Sequence, residues 1–294
     1  MSDWVSAVII DDDDDNFNDN KNLELKVGEI AVVKKTRKYT KRAPKVKLVE
    51  IVEDNTNGKK EKEKDPIVIE CLLKKFYYSD TNIIEVGCDE AGRGPMFGRV
   101  YSGAVVLPKD DSFDHFKMKD SKKFTSKNPK KIQEVAEYIK QHALAWAVEY
   151  EDERVIDDIN ILQATQSAMH KAIRSVLRQL NGIDTNNLFL LIDGNYFKPL
   201  TVFNKKNNRI ENAKYETVEG GDNKYTAIAA ASILAKVERD KYIEELCLEN
   251  PELVERYGID GNKGYGSKRH MDGIKQYGIT KWHRRSFGIC KSFA

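Results

Sequence analysis

The apolar positions of this chain change period several times, and each change marks an element. Residues 83–88 (IIEVGC) and 100–107 (VYSGAVVL) are rich in Val and Ile and bounded by glycine or proline, which predicts two strands. Residues 126–141 place Ile132, Val135, Ala136 and Ile139 at helical spacing, behind a serine, Ser126, suited to cap the first turn. Residues 144–150 alternate and predict a third strand. Over 156–180, Ala164, Ala168 and Ala172 recur every four residues beside Met169, Ile173, Val176 and Leu177, which predicts a long helix closed by Asn181-Gly182. Residues 188–193 (LFLLID) form an unbroken apolar run, the pattern of a strand buried on both faces. A second long helix spans 225–246 and stops at Asn250-Pro251; a short one is predicted over 67–78. Strands alternating with helices of this length indicate an α/β sheet flanked by helices, without an internal repeat.

Charge divides the chain. Residues 1–65 hold an acidic block (Asp11 to Asp15) and a basic one (Lys34 to Lys47, KKTRKYTKRAPKVK), and like charges in blocks repel and bury little. The expectation is a charged, disordered extension, with one short strand possible over 23–33, ahead of a folded domain over 66–294. The basic block suits nucleic-acid phosphates or a nuclear address, and equally a solvated tail. Across all 294 residues the net charge is only +2, so composition alone does not announce a nucleic-acid binder. Four cysteines without a CxxC pair argue against a zinc site and a disulfide framework and favour an intracellular, cytoplasmic setting. The N-terminus lacks the basic start of a signal peptide, and the longest weakly polar run, 226–235, is half the length a membrane span needs.

Three acids occupy places where sheet proteins put active sites. Asp89 and Glu90 follow the first strand, and Asp193 ends the LFLLID strand. A fourth, Asp222, stands just before the second long helix. Singly, each has a structural reading: Asp193-Gly194 as a turn, Asp222 as a helix cap. Together, on neighbouring strands, they would repel one another unless a cation joined them. Oxygen donors without histidine or thiol point to Mg²⁺ or Mn²⁺, and two such ions are the standard device for displacement at phosphorus. Asp240 is excluded: 18 residues beyond Asp222 on one helix is ~27 Å, and Lys236 pairs with it at i,i+4.

The segment GCDEAGRGP, residues 87–95, resembles the signature of ribonuclease HII, the type 2 ribonuclease H. DSKKFT, NILQATQSAM, LIDGN, GGDNKYTAIAAASILAKVERD, KGYGSKRH and YGITKWHRRSF resemble further segments of that family, in family order, from about residue 66 to 290. The resemblance implies a ribonuclease H-like mixed sheet flanked by helices, with a helical C-terminal segment. It implies that Asp89, Glu90, Asp193 and Asp222 hold two metal ions. It also implies that Gly92, Arg93 and Gly94 grip the ribose 2′-hydroxyl and its phosphate, and that Tyr265 stacks at the RNA–DNA junction. Lys122 and Lys123 fit phosphate contacts, or are solvated surface lysines; His283, Arg284 and Arg285 either serve the site, pack or face solvent. The type 3 relatives lack Gly-Arg-Gly, so Arg93 favours type 2. Phe97, Arg99 and Tyr101 are bulkier than is usual in the family, which puts the shape of the substrate groove in question.

The expected activity is that of a monomeric endoribonuclease. It cuts the RNA strand of RNA/DNA hybrids and single ribonucleotides in duplex DNA, leaving a 3′-hydroxyl and a 5′-phosphate. The alternatives are a DNA nuclease of the ribonuclease H-like class and a non-catalytic nucleic-acid-binding protein on the same scaffold.

Overall fold

Five strands form the central sheet: β1 (Ile84–Ala91), β2 (Val100–Val106), β3 (Ala145–Glu151), β4 (Leu188–Asp193) and β7 (Lys214–Val218). The computed structural model describes residues 73–118, 129–180 and 184–294, within the unit Leu72–Ala294. The sheet order is β3-β2-β1-β4-β7. β1 runs antiparallel to β2 and parallel to β4, and β4 runs parallel to β7, so the sheet is mixed. A separate hairpin joins β5 (Thr201–Asn204) to β6 (Arg209–Asn212).

Two long helices cover the two faces. α2 (Glu153–Gln179) packs Met169, Ile173 and Val176 on Val86, Cys88, Leu190 and Ile192. On the other face lie α1 (Pro129–His142) and α3 (Thr226–Glu249). The first ten residues of α3, Thr226 to Ala235, are all buried. That explains the weakly polar run noted in the sequence: it is a helix enclosed all round, and small side chains let its backbone touch the sheet. Gly87 marks the contact, since a Cβ there would lie 2.3 Å from the Ala227 carbonyl carbon. Among the described residues no helix is long and apolar enough to cross a membrane. The C-terminal segment adds α4 (Glu252–Tyr257), α5 (Ile259–Asn262) and α6 (Lys268–Tyr277), which enclose a core of Phe97, Ile243, Leu253, Tyr257 and Ile274.

Several expectations need correction. Of the helix expected over 67–78, the described part, 73–78, is not helical. Lys74 instead forms a bridge with Tyr225, and the amides of Tyr77 and Tyr78 donate to the buried Glu85 carboxylate at 2.9 and 2.7 Å. Those tertiary acceptors replace the i−4 carbonyls a helix would use. The long helix over 156–180 is broken at Asn160, whose φ of 68° is non-helical, and the Asn160 side chain caps the next turn through the Gln163 amide. The expected caps at Ser126 and Asn181-Gly182, Lys122 and Lys123, and the whole of 1–65 lie outside the described residues.

Candidate active site

Side-chain alternation assigns the acids to faces. Val86 and Cys88 point toward α2, so Gly87 and Asp89 point toward α3, and Asp193 of β4 lies on that face with Phe189 and Leu191. The parallel pairing of β1 with β4 ends at Cys88–Ile192, which sets Asp89 beside Asp193. Glu90, by alternation, starts from the opposite face. A break in the strand between Asp89 and Glu90 would turn both to one side, but β1 stays paired with β2 through Asp89–Gly103, Glu90–Ser102 and Ala91–Tyr101. Glu90 lies beyond the last β1–β4 pair, where its longer side chain reaches round the strand end. One ligand oxygen from each of Asp89, Glu90 and Asp193 lies within 4.8 Å of the others.

This trio is electrostatically loaded. Burial is the largest cause raising the Asp89 carboxyl well above the usual range, followed by the Glu90 and Asp193 charges. The Ser232 hydroxyl and the Glu90 amide, both donors to it, pull in the other direction; the amide donates to Asp89 Oδ1 at 2.6 Å. Asp193 Oδ1 accepts the Gly221 amide at 2.6 Å. Asp222, next along, is buried and receives the Asn223 side-chain amide at 3.0 Å. It stands outside the trio, and it does not cap α3, whose N-cap residue is Tyr225. Converging carboxylate oxygens, from one buried and two half-buried residues, with like-charge repulsion fit a hard divalent cation.

Beyond Ala91 the chain turns sharply at Gly92, with φ of 92°. A Cβ there would lie 2.3 Å from Arg239 Nε. Arg93 is half-exposed and its Nη1 sits 3.3 Å from Glu90 Oε1, so the arginine and the acids share one edge. A Cβ built on Gly94 would lie 3.4 Å from the Tyr265 ring, and Tyr265 itself is 53% exposed. The fold therefore brings the Gly-Arg-Gly turn, the exposed tyrosine and the acids together, although Tyr265 is far from them in sequence.

Of the groups that build the site from behind, Arg239 and His270 drew no functional reading from the sequence, whereas His283 and Arg284 were left open between serving the site, packing and facing solvent. Arg239, 2% exposed in α3, donates from Nη2 to the Lys263 carbonyl at 2.8 Å, linking Gly92 to the loop that carries Tyr265. His270 Nδ1 holds the Tyr265 carbonyl at 2.9 Å, and its Nε2 meets His283 Nε2 at 3.1 Å. His283 Nδ1 accepts the Thr280 amide, so His283 donates to His270 and His270 donates to Tyr265. Burial lowers the His270 imidazole and pushes His283 down to about 3. Arg284 is fully buried and hydrogen-bonds the Gly92–Arg99 loop. The one available signal was charge in an otherwise apolar setting, as at Arg239 in a buried helix. Phe97 and Tyr101 are buried, and Arg99 stacks between the rings of Tyr150 and Tyr242 at 4.0 and 4.3 Å, so bulk at Phe97 and Tyr101 fills core space rather than a groove.

The ribonuclease HII family model matches residues 86–290. The chain belongs to the ribonuclease HII family. It is 42% identical to the ribonuclease HII of Parabacteroides distasonis over 212 residues, covering 72% of this chain and 94% of that protein. It is also 42% identical to the Bacteroides thetaiotaomicron enzyme, with 72% and 93% covered. Among solved structures it resembles the ribonuclease H2 of Pyrococcus horikoshii OT3, with a TM-score of 0.52 at 24% identity, covering 72% of this chain and 97% of that one. The Archaeoglobus fulgidus ribonuclease HII, solved in complex with PCNA, gives a TM-score of 0.51 at 21% identity, covering 70% and 96%. These structures share the ribonuclease H-like fold. A ribonuclease HII is a divalent-metal-dependent endoribonuclease acting on RNA/DNA hybrids, and this chain is one.

Proposed function

We propose that this ribonuclease HII also incises single ribonucleotides embedded in duplex DNA, by hydrolysis that leaves a 3′-hydroxyl and a 5′-phosphate. The observation that carries the reading is the contact of the Gly-Arg-Gly turn with Tyr265 beside the carboxylate trio. Asp89, Glu90 and Asp193 would hold one divalent ion, Mg²⁺ or Mn²⁺, and Asp222, buried next to the Gly221 amide that Asp193 accepts, would serve a second. When bound, such a pair supplies an activated water and charge stabilisation at the scissile phosphate. Water adds across the P–O3′ bond, the oxygen joins phosphorus and the proton ends on the 3′-oxygen.

The protein's own groups supply recognition. Backbone amides at Gly92–Gly94 approach the sugar without side-chain obstruction, and the 2′-hydroxyl is the group that separates RNA from DNA at one nucleotide. Arg93, half-exposed at the edge of the trio, would meet the adjacent phosphate. Tyr265 would stack on the base pair at the junction. Lys122 and Lys123 would add phosphate contacts. The division into an extension over 1–65 and a catalytic domain over 66–294, a monomeric state and an intracellular setting belong to the same reading. The two sequence relatives, from Parabacteroides and Bacteroides, are bacterial and lend no support to a nuclear address for the basic block.

The test is cleavage of a duplex carrying one ribonucleotide, with Mg²⁺ or Mn²⁺, against an all-DNA duplex of the same sequence. Incision on the 5′ side of the ribonucleotide is expected. An uncut ribonucleotide duplex, or equal cutting of both, overturns the proposal, the second outcome in favour of a DNA nuclease.

A further inference from the structure

Arg284 is 0% exposed, and its guanidinium faces one loop. An arginine has five N–H donors in a planar fork. Nε lies 2.8 Å from the Gly98 carbonyl. Nη1 lies 3.0 and 2.7 Å from those of Arg93 and Pro95, and Nη2 2.6 and 3.1 Å from those of Gly92 and Arg99. Every donor has an acceptor, and all five acceptors come from residues 92–99. The Arg284 amide adds a sixth tie, to the Met96 carbonyl at 2.8 Å.

The consequence follows from peptide geometry. In a trans peptide the C=O and the next residue's N–H point to opposite sides. With the carbonyls of Gly92 and Arg93 drawn inward to the guanidinium, the amides of Arg93 and Gly94 are turned outward. We propose that Arg284 is a positioning residue for ribose recognition: it aims the Arg93 and Gly94 amides at the substrate by holding the carbonyls behind them. The inference rests on the reading of the Gly-Arg-Gly turn as the ribose contact. A lysine at 284 keeps the charge but, as a point donor, spans fewer of the five oxygens.

The experiment measures fluorescence anisotropy of the full chain in EDTA with a duplex containing one ribonucleotide and with its all-DNA counterpart. Wild type is expected to prefer the ribonucleotide duplex. Arg284→Lys is expected to weaken that affinity about tenfold and to leave the all-DNA affinity within twofold. Arg285→Ala, at a neighbouring position, keeps the wild-type preference. If Arg284→Lys does not fold, Phe287→Leu, which removes the ring 5.0 Å from the guanidinium, carries the same test with an expected two- to threefold change. Arg284→Lys, or Phe287→Leu in its place, keeping the wild-type preference or losing affinity for both duplexes alike overturns the role of Arg284. A wild type without preference overturns instead the reading of the turn.

Discussion

Two of the three clustered acids, Asp89 and Glu90, and the Gly-Arg-Gly turn fall within six residues, yet opposite physics builds the trio and the turn. The trio collects like charges at the ends of two parallel strands, where sheet register alone sets Asp89 beside Asp193 and burial sharpens the repulsion. The turn has little regular structure of its own. It is held from behind by the buried Arg284 of the C-terminal segment and packs on the buried Arg239 of α3, and its partner loop is held by Arg239 and a histidine pair. One half is a concentration of anions; the other is a backbone wrapped on cations. A divalent ion would relieve the first, whereas the second is held by hydrogen bonds from the protein itself. Damage to the acids should therefore act on chemistry, and damage to the turn on recognition.

Asp193→Asn is expected to break the comparison most strongly. It removes a ligand of the trio without changing shape, so cleavage should fall by ~10³-fold or more while hybrid binding in EDTA stays within a few-fold. A parallel loss of binding would show that the acids also shape the recognition surface. Tyr265→Ala should do the reverse. Loss of one stacking contact, ~1–3 kcal/mol, should raise KM for the ribonucleotide duplex by roughly tenfold or more and change kcat less. Gly87→Ala, two residues before Asp89 on the face toward α3, should cost ~1–3 kcal/mol of stability in a thermal melt, since its Cβ meets the α3 backbone.

The histidine pair gives a pH-dependent test of the recognition half. Burial, then the neighbouring His270, holds His283 at about 3, against ~6.5 for an unfolded chain. Between those values the unfolded state binds a proton that the folded state refuses, so stability falls as pH drops from ~6.5 toward 3. A Tm that declines over this window in wild type and less so in His283→Gln is the expected result. The smallest effect belongs to Asp240→Asn, which loosens the Lys236 pair on α3: less than ~1 kcal/mol, with cleavage unchanged.

Legibility in the sequence followed apolar content. The LFLLID strand and the long helix from Thr226 were readable because buried runs leave little choice of period. β5, β6 and β7 were not recognised, because their side chains are mostly exposed or half-buried and carry no apolar pattern. The break at Asn160 escaped because helical spacing continues on both sides of it. At the site, Asp89, Glu90 and Asp193 were legible as acids at strand ends, whereas the closeness of their oxygens, which depends on strand register, was not.

By itself, the sequence determined the α/β class, the family and the residue types available for chemistry, since these depend on local pattern and on residues adjacent in the chain. Only the tertiary structure decided that β1 runs unbroken through both acids and that Glu90 reaches the trio from the opposite face. It also decided that Arg284, left open by the sequence between serving the site, packing and facing solvent, lies buried with all five donors on one loop. The reason is that a buried charge is tolerated only where distant segments supply its partners, and which carbonyls those are depends on how the chain closes on itself.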